Sequence, residues 1–107
     1  VALGTDFPVE AIDPLATYYA AVVRKYRDGG EIIGSPTEEA LSPKDALLGM
    51  TLWNAMASFT ENELGTIEIG KRADFTVVDR DLLKADEQGL RKAKVVATIV
   101  NGEILYR

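Results

Sequence analysis

The spacing of apolar residues changes from a helical repeat to an alternating one at about residue 61. Before that point, apolar side chains recur at intervals of three and four residues, which predicts amphipathic helices. After it, short β-branched runs bounded by glycine or aspartate predict strands. This pattern favours an α+β fold with helices in residues 1–60 and strands in residues 61–107.

Two helix starts are marked by a capping residue followed by proline. Asp13-Pro14 predicts a helix that runs to about Tyr26 and is stopped by Gly29-Gly30. Ser42-Pro43, with an acidic residue shortly after it, predicts a second helix of about four turns that ends near Ala57. The apolar and small residues on one broad face of this second helix predict that it is mostly buried.

Four strands are predicted in the second part of the chain. Gly65–Gly70 alternates between apolar and polar residues, and Phe75–Val78 is a β-branched run. Val95–Val100 and Glu103–Tyr106 flank Asn101-Gly102, the residue pair that best adopts the two positive φ angles of a type I′ hairpin turn. The hairpin is the clearest local signal in the chain.

Two other stretches predict loops. Gly34-Ser35-Pro36 has the composition of a surface loop, and the charged stretch Asp81–Lys92 predicts a loop with one helical turn. The acidic residues near Asp79 do not fit a calcium-binding loop. Counted from Asp79, Lys84 falls where such a loop requires glycine, and Leu90 falls where it requires glutamate.

The chain contains no cysteine and no histidine. These absences exclude disulfides, thiol nucleophiles and any catalytic arrangement that needs a histidine base within the chain, and they leave oxygen atoms as the available metal ligands. The net charge of −5 argues against nucleic acid or an anionic membrane as the main partner. No membrane-spanning run or secretory signal is evident, so the default expectation is a cytoplasmic protein.

Asp6 is the candidate catalytic residue. It follows the apolar opening of the chain, at a position like the carboxyl end of a buried strand, where α/β folds place catalytic groups. A carboxylate there can accept a proton or bind a metal, but position alone favours Asp6 as a cap of the turn Thr5–Pro8. A set of aromatic residues is more readily explained by core packing than by a stacking surface for sugars or bases: Tyr18, Tyr19, Tyr26 and Trp53.

Four motifs in order resemble the C-terminal end of a metal-dependent amidohydrolase, most closely the amidohydrolase family 3 group. They are Leu3-Gly4-Thr5-Asp6-Phe7-Pro8-Val9; Ser42-Pro43-Lys44-Asp45-Ala46-Leu47 leading to Thr51-Leu52-Trp53-Asn54-Ala55; Gly65 to Asp79; and Val100-Asn101-Gly102-Glu103. The resemblance covers nearly the whole chain, which indicates a piece of a longer protein.

The resemblance implies a distorted (β/α)8 barrel and a small β-sandwich built from both ends of the parent chain. Residues 1–60 would then supply the last barrel strand, at Val1–Thr5, and the two closing barrel helices. Residues 61–107 would supply the C-terminal part of the composite sandwich. The rest of the hydrolase is the partner that this arrangement requires, and a homo-oligomer is possible by family habit.

The resemblance also assigns a role to Asp6, as a ligand of the catalytic divalent metal or its water and as a proton shuttle to the leaving nitrogen. Zinc is the expected metal, with the remaining ligands supplied by upstream histidines and a lysine. The implied substrate is a small molecule with an amide-type, non-peptide C–N bond, and no substrate-binding residue can be assigned. We expect the chain alone to be inactive and to self-associate through unpaired sheet edges. The alternative is an autonomous, non-catalytic α+β structural or interaction module.

Overall fold

A three-stranded antiparallel sheet and four α-helices form the described part of the chain, residues 1–32 and 37–107 of a computed structural model. The sheet order is β1-β2-β3. The elements are α1 (Pro14–Val23), a 3-10 turn (Thr37–Glu39), α2 (Pro43–Met50), α3 (Leu52–Ala57), β1 (Phe75–Val78), α4 (Glu87–Lys92), β2 (Val95–Val100) and β3 (Glu103–Tyr106). The α+β class is confirmed, whereas the barrel and the sandwich stay predictions. The predicted loop at residues 34–36 lies outside the described residues.

Helix α1 begins where the sequence predicts and ends earlier. The Asp13 carboxylate accepts the Leu15 N–H at 2.9 Å, which confirms Asp13 as the N-cap. The predicted end at Tyr26 is wrong, because Arg24 adopts a left-handed conformation with φ of 62° and ends the helix. Gly29 and Gly30 instead lie in the turn that follows.

The predicted second helix is interrupted at Thr51. Ser42 caps α2 as expected, but Thr51 has φ of −126° and ψ of −89° and separates α2 from α3. The Thr51 hydroxyl donates to the Leu47 carbonyl at 2.8 Å, so the side chain satisfies one of the free carbonyls at the end of α2. The predicted burial is only partly correct, since Leu47 and Ala57 are exposed while Ala46 and Ala55 are buried.

The strand predicted at Gly65–Gly70 is absent, and the segment forms bends and a turn. The Lys71 ammonium holds it by donating to the Glu61 carbonyl at 2.6 Å and to the Thr66 hydroxyl at 2.5 Å. These contacts replace the cross-strand pairing that a strand would need. Strands β1, β2 and β3 are confirmed, and Asn101 (φ 50°) and Gly102 (φ 82°) form the predicted hairpin turn.

Two tyrosines lie at the centre of the core, which they share with Ala46 and Leu90. Tyr18 is 1% exposed, and its hydroxyl donates to the carbonyls of Pro43 and Leu82. Tyr19 is fully buried and donates to the Glu87 carboxylate. Burial raises the pKa of both phenols. The expected core role is correct for these two and wrong for Tyr26, which is 47% exposed, because α1 ends before it.

Candidate functional site

Asp6 lies in an exposed turn directly after the opening segment, residues 1–5, which has no regular secondary structure. Its φ of 51° is left-handed, a conformation that aspartate tolerates better than most residues. The turn is closed by the Asp6 carbonyl, which accepts the Val9 N–H at 2.8 Å, and by the Thr5 hydroxyl, which accepts the Phe7 N–H at 3.3 Å. The backbone of Asp6 therefore closes the turn, and its carboxylate faces solvent.

The opening segment is held by helices. The Leu3 N–H donates to the Gly49 carbonyl at 2.9 Å, and the Asn54 side-chain amide donates to the Leu3 carbonyl at 2.8 Å. The Leu3 side chain packs against the core. Both backbone polar groups of Leu3 are thus satisfied by the α2–α3 unit. The interpretation of Val1–Thr5 as a barrel strand stays a prediction, since the described chain pairs this segment with helices.

Gly49 lies in close contact with the opening segment. A Cβ atom at this position would lie 2.9 Å from the Val1 carbonyl oxygen and 3.0 Å from the Leu3 side chain. Only glycine lets the backbones approach this closely. Gly49 and Asn54 are poor helix formers within a predicted buried helix, and this is the only sequence signal for them. That signal did not identify either residue as part of the site.

The described residues do not form a complete metal site. Within residues 1–32 and 37–107, no group of three or more aspartate, glutamate, histidine or cysteine side chains could hold a metal ion. Catalytic zinc sites ordinarily use three protein ligands. The Asp6 carboxylate could supply one oxygen ligand, which is fewer than such a site uses.

Exposed apolar side chains lie beside Asp6 in the sequence, and a separate cleft is lined by residues from Pro14 onward. Phe7, Val9 and Ile12 are 61%, 76% and 71% exposed, respectively. A cleft of about 930 Å³ lies between the helices and the sheet, and Met50, Asn54, Phe75 and Val95 are among the residues that line it. Exposed apolar side chains and an apolar cleft are each typical of a surface that binds another part of a protein or a small molecule.

Comparison with known proteins assigns the chain to a family. The family model described as the amidohydrolase family matches residues 1–106. The chain belongs to amidohydrolase family 3. No solved structure matches it. No helix among the described residues is long and apolar enough to cross a membrane.

Several curated proteins resemble this amidohydrolase chain along almost its whole length. The N-substituted formamide deformylase of Arthrobacter pascens is 35% identical over 99% of this chain and 19% of its own length. A candidate amidohydrolase of Bacillus subtilis is 32% identical over 96% of this chain and 20% of its own length. A 5-methylthioadenosine/S-adenosylhomocysteine deaminase of Caldanaerobacter subterraneus is 31% identical over 98% of this chain and 25% of its own length. The chain thus spans about a fifth to a quarter of these relatives.

Proposed function

We propose that this chain is the C-terminal portion of a metal-dependent amidohydrolase that acts on a non-peptide, amide-type C–N bond of a small molecule. Family membership supports hydrolysis. The names of two relatives, a deformylase and a deaminase, both describe the cleavage of a carbon–nitrogen bond. The observation that carries the proposal is the Asp6 carboxylate, which is presented to solvent by a turn that its own backbone closes.

Asp6 acts as the proton shuttle in this proposal. When water adds to the scissile carbonyl carbon, one water proton passes to the Asp6 carboxylate. The protonated Asp6 then donates this proton to the leaving nitrogen as the C–N bond breaks, and the carboxylate is restored. A divalent metal, with zinc expected, would acidify the water and polarise the carbonyl. Asp6 is proposed as one metal ligand, and the others come from segments outside this sequence.

The remainder of the hydrolase is the proposed partner of the chain. The apolar side chains around the Asp6 turn and the cleft between helices and sheet offer a surface for it. The relatives are four to five times longer than their match to this chain, which leaves ample polypeptide to cover that surface. On this proposal, the 107-residue chain alone is inactive.

The test replaces Asp6 in the full-length polypeptide that carries this chain. We expect Asp6→Asn to lower kcat by about 10²- to 10⁴-fold, because the amide accepts no proton. Glu10→Gln is the matched control, since Glu10 is an exposed carboxylate four residues away, and it should leave kcat unchanged. A folded Asp6→Asn enzyme with undiminished kcat would remove Asp6 from the mechanism.

The second candidate is an autonomous, non-catalytic α+β module. The contacts that favour it join the two parts of the chain, such as the hydrogen bond from the Tyr18 hydroxyl to the Leu82 carbonyl at 2.9 Å. Light scattering and circular dichroism on the 107-residue chain separate the two candidates. A monomer with a cooperative melt favours the module, and a partly folded or aggregating species favours the hydrolase portion.

A further inference from the structure

The geometry points to Asn54 and Gly49 as positioning residues for Asp6. This inference rests on the proposed function, because it concerns the residue that carries the proposed chemistry. Neither residue reaches the Asp6 carboxylate. They act on Leu3, which precedes Asp6 by three residues, and through it they set where the Asp6 turn begins.

The interruption between α2 and α3 creates the acceptor for Leu3. In a continuous helix, the Gly49 carbonyl would accept the N–H of Trp53, four residues later. Because the helix breaks at Thr51, the Gly49 carbonyl accepts the Leu3 N–H at 2.9 Å instead. The break therefore exchanges a local helical bond for a contact that joins residues 46 positions apart in the sequence.

Asn54 completes the attachment from the other side of the break. Its amide group donates to the Leu3 carbonyl at 2.8 Å in a partly buried position. A buried carbonyl left without a donor costs free energy, so this bond fixes which residue of the opening segment lies against the helices. If the opening segment moved by one residue along the helices, the Leu3 side chain would leave the core. Asp6 would then be displaced by the same amount.

Because Asp6 is only three residues from Leu3, the attachment of Leu3 to the helices restricts where Asp6 can lie. Three residues span at most about 10 Å, and the turn after Asp6 is closed by its own hydrogen bonds. A side chain at Gly49 would push the opening segment away from the helix, because its Cβ would lie 2.9 Å from the Val1 carbonyl oxygen. The position of Asp6 is thus defined at Leu3 and again at the turn.

The first test measures amide hydrogen exchange by mass spectrometry, with fragmentation to single residues, in the full-length polypeptide that carries this chain. Asn54→Asp keeps the side-chain volume but replaces the donor with an oxygen, and Asn62→Asp is the matched control at an exposed asparagine. We expect Asn54→Asp to accelerate exchange at Leu3 and Val9 while amides in α1 and β2 keep their protection. Unchanged exchange at Leu3 and Val9 would overturn the inference.

The second test uses the full-length enzyme and separates positioning from general stability. We expect Asn54→Asp to lower kcat roughly tenfold to a hundredfold with KM within about twofold of the original. Asn54→Gln, which keeps an amide donor, should restore part of the loss. If Asn54→Asp fails to fold, Asn54→Ala removes the donor without adding a charge and is measured in its place.

The two hypotheses fail in different ways. An active Asp6→Asn enzyme would contradict the proposed function itself. An inactive Asp6→Asn enzyme together with fully active Asn54→Asp and Asn54→Ala enzymes would contradict the positioning role alone. Equal losses in kcat for Asn54→Asp and for Asn54→Gln, with exchange at Leu3 unchanged, would likewise count against it.

Discussion

Two glycines near the Asp6 turn differ sharply in the space around them. A Cβ at Gly49 would lie 2.9 Å from the Val1 carbonyl oxygen, whereas a Cβ at Gly4 would have nothing within 4 Å. We expect Gly49→Ala to lower the free energy of unfolding by about 1–3 kcal/mol, because the opening segment must move. Gly4→Ala should leave it within about 0.5 kcal/mol. Urea unfolding of the two variants makes the comparison, and equal effects would contradict the close approach at Gly49.

Asp79 makes stability depend on pH in the acid range. Hydrogen bonds from the Arg80 guanidinium and the Lys94 N–H hold the pKa of this carboxyl well below its usual range. A lowered folded pKa contributes stability that is complete above the unfolded pKa of about 4 and is lost as the pH falls toward the folded pKa. We expect the melting temperature to decrease as the pH is lowered below about 4. In Asp79→Asn, the melting temperature should depend less on pH over this range. An Asp79→Asn variant with an unchanged acid dependence would contradict this role of Asp79.

At the scale of elements, the cap of α2 is open to a direct test. The Ser42 hydroxyl accepts the Asp45 N–H at 3.1 Å and donates to the Asp45 carboxylate at 2.7 Å. Ser42→Ala should lower the free energy of unfolding by about 1 kcal/mol, whereas Ser42→Asp should retain most of it, because aspartate also caps well. Thermal unfolding of both variants tests this prediction. If Ser42→Ala is as stable as the original chain, the cap contributes little.

Elements specified by local chemistry were predictable from the sequence, and those specified by distant contacts were not. The caps at Asp13 and Ser42 and the Asn101-Gly102 turn depend on residues beside them, and all three are confirmed. The break at Thr51 accompanies the binding of Leu3, which no helical periodicity encodes. The segment 65–70 has the alternation of a strand, but within the described chain Lys71 holds it without a partner strand.

The candidate site was predictable to the same limited degree. The family assignment confirms the resemblance that the motifs carried, whereas the role of Asp6 stays a prediction. The attachment through Gly49 and Asn54 was not predictable, because it depends on how two segments far apart in the sequence approach each other. The histidine ligands that the proposal expects are not among the residues of this sequence, which contains no histidine.

At the scale of the whole molecule, exposed isoleucines predict self-association. Ile67 is 84% exposed and Ile69 is fully exposed, in a segment held in place by Lys71. The double variant Ile67→Thr/Ile69→Thr should reduce association in light scattering and change the free energy of unfolding by less than about 0.5 kcal/mol. Leu90→Thr is the contrast, because Leu90 is 4% exposed and its replacement should unfold the chain. If the double variant associates as strongly as the original chain, Ile67 and Ile69 do not form the self-association contact.

The hydroxyl of Tyr18 has a consequence for how such proteins can be recombined. It donates to Pro43 at the start of α2 and to Leu82, which lies beyond the predicted division at residues 60 and 61. A chimaera that takes residues 61–107 from a relative must therefore place a main-chain carbonyl at the same point, or the buried phenol keeps only its longer hydrogen bond to Pro43. Crossover points that keep Tyr18 and Leu82 from the same parent should yield folded hybrids more often than a crossover at residue 61.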